Sequence, residues 1–164
     1  MITVEAYIES LKNLDGVAEL WSASGQFLGR LESNRYSFYS IMNPRGFYGS
    51  SSSGTSIHNG SSPYGGFKGI YSPFNPNCAK PPFISCSGKP VMVVTRNPKI
   101  LTFGLNSITP DFLLAAYDIL GKATPQEISR KLLALKRVRV TAIDIQHTVV
   151  VPSQVREESL VLSA

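Results

Sequence analysis

Two histidines, His58 and His147, are the only side chains of this 164-residue chain whose ordinary titration falls near neutrality. Acid–base work by either needs a carboxylate or a metal beside it. His58 has no Asp or Glu within twenty residues in sequence and is expected to serve in a turn or on the surface. His147 follows Asp144 at an odd spacing, which on a regular strand sends the two side chains to opposite faces. Cys78 and Cys86 are eight apart in a Pro-rich stretch, a spacing of neither the zinc nor the redox C-x-x-C pattern, and are expected as two unrelated thiols. Neither a metal nor a cofactor is expected.

Other chemistries fail on spacing. No stretch supplies G-x-x-x-x-G-K-[ST], whose backbone amides wrap phosphate. Four residues, Ser50 to Ser53, separate Gly49 from Gly54, so the G-x-S-x-G elbow is missed, and no apolar strand leads in. Tyr64 and Lys68 have the separation of a dehydrogenase Tyr–Lys pair, but Gly65-Gly66-Phe67 between them do not make the helix that chemistry needs. The chain is expected not to be an enzyme.

Binding is the remaining class. Lys and Arg number 16 against 11 Asp and Glu, a net charge of +5 that favours anionic partners. Arg130, Lys131, Lys136, Arg137 and Arg139 fall within ten positions, a candidate nucleic-acid stretch or a solvated helix face. The helix-turn-helix rhythm before them lacks an exposed polar second helix, because that segment is committed to Leu packing. Aromatic residues interleaved with Arg35, Arg45 and Lys68 offer either a stacking surface for bases or sugar rings, or internal packing.

These residues need elements to hold them. Val4, Tyr7, Ile8, Leu11 and Leu14 recur at helical steps, predicting a short amphipathic helix. Leu20 to Leu31 alternates about Ser24-Gly25, a β-hairpin signal. Val91 to Val94 and Ile100 to Phe103 predict two strands. Thr109-Pro110-Asp111 and Thr124-Pro125-Gln126-Glu127 each place Thr at an N-cap before Pro, the second with a capping box. The first of these helices is expected to end at Gly121, and Val138 to Val151 reads as β-rich. A basic leader followed by an apolar run is absent at the start, and a cytoplasmic protein is expected.

Residues 33 to 90 differ in kind. They hold most of the Gly and Pro, yet also ten aromatic residues from Tyr36 to Phe83. An offset of 16 aligns Ser40 with Ser56 and Ser72, and Asn43 with Asn59 and Asn75, so each unit carries S-x-x-N. Asn folds its side chain onto backbone two residues on, and Pro presets φ, so each unit is expected as strand, turn, strand stacked on its neighbours.

Asn34-x-Tyr36, Ser40-Ile41-x-Asn43-Pro44-x-Gly46-x-Tyr48-Gly49, Ser56-Ile57-x-Asn59 and Tyr71-Ser72-Pro73-x-Asn75-Pro76, after the hairpin ending Phe27-Leu28-Gly29, resemble the bacterial four-fold β-flower domain over roughly residues 18 to 104. Departures lie at Ser50 to Gly54, where Ser replaces an aromatic, and at Gly60-Ser61-Ser62. The resemblance implies strand pairs about a pseudo-symmetry axis and no activity. The expectation is an α+β fold: an N-terminal helix (1–16), a β-rich pseudo-four-fold repeat of short strand pairs (17–104), and a helix-helix-strand segment (105–164) packed on the same domain. Its expected function is a structural or protein-interaction module, self-associating or bound to another protein without a membrane. The alternative is nucleic-acid binding through residues 130–139.

Overall fold

The computed structural model describes residues 4–122 and, beyond them, residues 124, 126–128, 130, 131 and 134. Chain order is α1 (Val4–Leu14), β1 (Glu19–Trp21), β2 (Phe27–Arg30), β3 (Phe83–Cys86), β4 (Lys89–Val94), β5 (Asn106–Ile108) and α2 (Pro110–Lys122). The fold is α+β, with a five-stranded sheet in the order β2-β1-β3-β4-β5. All pairs are antiparallel except β4 with β5. No helix among the described residues is long and apolar enough to cross a membrane.

Ile8, Leu11 and Leu14 line the buried side of α1, and Gly16, at φ +80°, takes the left-handed turn that ends it. The hairpin turns at Ser24-Gly25 as expected, with Gly25 at φ +87°. Register places Leu20 beside Ile84 and Ile84 beside Met92, an apolar row across three strands. Phe112, Leu113, Ala116 and Tyr117 bury one stripe of α2 in the same core. The Tyr117 hydroxyl donates to the Leu11 carbonyl at 2.8 Å, tying α2 to α1. Burial, with Asp15 nearby, pushes that phenol well above its usual range.

Three expectations change here. Ile100 to Phe103 is not a strand: Leu101 and Phe103 are exposed in the connection that reverses the chain between parallel β4 and β5. Such pairing needs a crossover, so the strand forms later, at Asn106–Ile108. A hairpin absent from the expectation joins β3 to β4 through Ser87 and Gly88, both at positive φ, as a two-residue turn requires. Gly121 does not end α2, which runs to Lys122; instead a Cβ there would collide with the Ser33 carbonyl. Thr109 Oγ1 accepts the Phe112 amide at 3.3 Å as the N-cap of α2.

Between β2 and β3 the described chain contains no strand, so the 16-residue units are not strand pairs. They are successive tight turns. Amides of Ser40, Asn43 and Gly46 bond carbonyls three residues back, and a four-residue step to Ser50 follows. The same series returns at Ser56, Asn59, Ser62 and Gly65, then at Ser72, Asn75 and Cys78. Serine, Asn and Gly favour turns because their side chains, or lack of one, satisfy or free the local backbone; a β-branched strand former occurs in few positions of this segment.

The capping box at Thr124 forms: Glu127 Oε2 accepts the Thr124 amide at 3.1 Å, and Thr124 Oγ1 accepts the Glu127 amide at 3.4 Å. The Thr124 amide, and the Thr124 hydroxyl donating to the same Oε2 at 2.9 Å, hold the Glu127 carboxyl below its usual range, helped by Lys131. The described positions from 126 to 134 are helical. The expected strand from Val138 to Val151, with Asp144 and His147, lies outside the described residues.

Candidate functional site

The six repeat residues are brought together by one scheme. Ser40, Ser56 and Ser72 are fully buried, and each Oγ accepts the amide two residues on, at 3.0, 3.1 and 3.1 Å. Asn43, Asn59 and Asn75 each use both amide ends. Oδ1 accepts the amide two residues on, at 3.0, 3.0 and 2.9 Å. Nδ2 donates six residues back, to the carbonyls of Ser37, Ser53 and Gly69, at 3.0, 3.1 and 3.0 Å. Each Asn thus bridges two consecutive turns, which explains its recurrence every 16 residues. Gly49 and Gly65 pass over the Asn43 and Asn59 carbonyls so closely that a Cβ would overlap them.

Units lie side by side through bonds between them. His58 Nε2 meets the Ile41 carbonyl at 2.9 Å, Thr55 Oγ1 donates to the Phe47 carbonyl at 3.2 Å, and the Tyr71 amide donates to the Pro63 carbonyl at 2.9 Å. A carbonyl only accepts, so His58 carries its proton on Nε2. Burial lowers its pKa, with the Ile41 bond opposing. Buried Ile41 and Ile57 join the common core.

Both ends of the coil are clamped to the body. At the start, the Arg30 amide donates to the Tyr39 carbonyl at 2.7 Å and the Ile41 amide to the Arg30 carbonyl at 3.1 Å, covering the edge of β2. Asp15 accepts both the Ser33 amide and hydroxyl, at 2.7 and 2.6 Å, and Arg35 pairs with Asp118 of α2. At the end, the Arg96 amide donates to the Pro73 carbonyl and Asn97 Nδ2 to the Cys78 carbonyl, both at 2.9 Å. The Arg96 guanidinium grips Asp111 at 2.8 and 2.6 Å and lies over Phe67 and Phe74, 5.3 and 5.0 Å from the ring centres.

Side chains pointing outward make the candidate site. Trp21, Phe27, Tyr48, Tyr39, Phe38 and Phe47 form a chain of rings with centroids 5.0 to 6.2 Å apart, and the Arg30 guanidinium stands 5.2 Å over Tyr39. The outer rings are not internal packing: Phe38 is 57% exposed, Phe47 65% and Tyr36 93%. Beside them, Arg45, Gly46 and Phe47 with Ser50 and residues 52–55 line an open groove of about 540 Å³. Ser50 and Ser52 share a hydroxyl hydrogen bond of 2.9 Å, and Ser53 and Thr55 one of 3.2 Å.

The coil is also free of negative side chains beyond Glu32, and Arg45 is the cation that lines the groove. Between Glu32 and Asp111 the sequence has no carboxylate and seven cations: Arg35, Arg45, Lys68, Lys80, Lys89, Arg96 and Lys99. Arg45 is exposed and has no carboxylate partner among the described residues. This one-sided run is legible in the sequence, although its cations are sparser than those at 130–139. Of that stretch, Arg130 and Lys131 are exposed, while Lys136, Arg137 and Arg139 lie outside the described residues.

Cys78 and Cys86 are both buried free thiols, and Cys78 Sγ donates to the Ile70 carbonyl at 3.2 Å. Burial pushes the Cys78 thiol up, away from thiolate chemistry. Among the described residues no group of three His, Cys, Asp or Glu is placed to hold a metal ion. Comparison with known proteins finds no family model, no curated protein and no solved structure that matches this chain.

Proposed function

We propose that the protein is a non-catalytic interaction module whose working surface is the outward side of the turn coil. One observation carries this: exposed rings, a hydroxyl-lined groove and an exposed Arg45 with no carboxylate partner among the described residues coincide on a backbone pinned at both ends. Polar groups that might act chemically are committed to structure there. The His58 ring is held by a carbonyl, and the buried serines are held by turn amides.

The partner in this reading is an acidic macromolecule. A protein partner, or a second copy offering the Glu5 and Glu9 side of α1, meets it through carboxylates. In the same reading the four-fold β-flower likeness is carried by turns, with Thr95 supplying a fourth buried hydroxyl whose Oγ1 accepts the Asn97 amide at 2.9 Å. Light scattering across salt, alone and with polyglutamate, tests the function. We expect a salt-sensitive oligomer or complex that Phe38→Ser with Phe47→Ser weakens. A monomer indifferent to anionic polymers at low salt rejects it.

A further inference from the structure

Repeat register shows that the groove is a gap in an otherwise bulky row. Stepping by 16 residues, the outward position occupied by Phe38 in the first unit is Gly54 in the second and Ile70 in the third; Phe38 and Ile70 are both more than half exposed. Likewise Tyr36 corresponds to Ser52 and Lys68. Gly54 is not required by the backbone, because its φ is not left-handed and a Cβ there would have nothing within 4 Å. Turn geometry is satisfied in all three units, so the small residues of the second unit change only what the surface presents.

We propose that this groove binds single-stranded nucleic acid, an assignment that rests on the interaction-module reading and names its partner. A base would lie against the Phe47 ring in the space at Gly54, with its backbone phosphate on Arg45 and on the one proton that the Ser50–Ser52 hydroxyl pair has left to donate. Each feature has its counterpart in the ligand. Every base has a π-face for an exposed ring, and hydroxyls and guanidinium groups are ordinary phosphate donors. A duplex offers no free base face at its flank, so a single strand is selected. The groove is too rich in hydroxyls for an apolar protein anchor, and pairing two copies coil to coil would set Arg45, Lys68 and Lys80 against the same cations with no carboxylate between Glu32 and Asp111 to offset them.

Anisotropy of a labelled oligothymidylate, titrated with the full chain across salt, tests the assignment. Binding at low salt is expected, reduced about tenfold or more by Phe47→Ala, the loss of one stacked base. Arg45→Gln should lower the slope of log affinity against log salt by about 0.7, one phosphate contact on a single strand. Gly54→Phe refills the gap with the first unit's residue and should abolish binding with an unchanged melting temperature. Several results overturn the assignment: equal binding of a duplex, binding insensitive to Phe47→Ala and Gly54→Phe, or binding lost only with Arg130→Gln and Lys131→Gln. If polyglutamate binds and the oligonucleotide does not, the module stands and its nucleic-acid partner falls. If neither binds at low salt, both fall.

Discussion

The sheet with its two helices and the turn coil are parts of one molecule built on different physics. Leu20, Leu28, Ile84, Val94 and Leu113 are fully buried in the body, and area removed from water is its main support. The coil buries a row of serines instead, and side chains bonding to backbone replace the ladder of a sheet. A hydrogen-bonded scaffold has a consequence that an apolar one lacks. Its specification lies in a few inward Ser, Asn and Gly, so outward positions can differ between units without disturbing the path.

Truncation in the body should give the largest effect. Leu113→Ala removes a side chain with no exposure from the interface of α2 with the core and should cost about 2–5 kcal/mol by chemical denaturation. Gly65→Ala probes the coil at a tight crossing, where the added methyl meets the Asn59 carbonyl; forced overpacking of this kind costs about 1–3 kcal/mol. Gly54→Ala, where the added methyl has nothing within 4 Å, should leave the midpoint unchanged. If Gly65→Ala were as mild as Gly54→Ala, the coil would not be rigid and the contrast would fail.

Asn59→Ala comes next. It deletes the donor to Ser53 and the acceptor for the Ser61 amide, and about 1–3 kcal/mol is expected if the carbonyl left behind is not rewetted. Asn75→Ala removes the equivalent pair and should match it, and a clear difference between them would show that the units are not energetically alike. Ser56→Ala loses a single bond to an amide and should cost less than either.

That the units repeat was legible in the sequence; what they repeat was not. Ser and Asn at fixed spacing gave the period and the role of Asn in its turn, since both follow from local chemistry. Strand pairing is non-local, and aromatic side chains favour a strand only where neighbours pack against them. Here Tyr36, Phe38 and Phe47 face solvent, so their β propensity carried no information about the backbone. Helix α1, the first hairpin and both Thr caps were legible for the same local reason. The hairpin through Ser87-Gly88 was hidden because its first strand, Phe83–Cys86, is only four residues long and directly follows Pro81-Pro82 at the end of the Pro-rich coil. Of the candidate surface, the rings and Arg45 were visible in the sequence, whereas the groove appears only when outward residues are read in register.

The mildest expected effect is one of pH, and it separates the coil from the body because His58 is the only described histidine. Its folded-state pKa lies below the ordinary 6.5, chiefly through burial. The unfolded chain therefore binds this proton more readily than the folded one, and stability rises with pH in that window. His58 contributes its full stabilisation above about pH 6.5 and loses it as pH drops through the lower folded value. His58→Gln keeps a donor for the Ile41 carbonyl but cannot titrate. Its melting temperature should therefore decline less than that of the parent chain on acidification below pH 6.5. Parallel curves would mean that the His58 ring escapes to water when protonated, and that contact between the first two units does not depend on it.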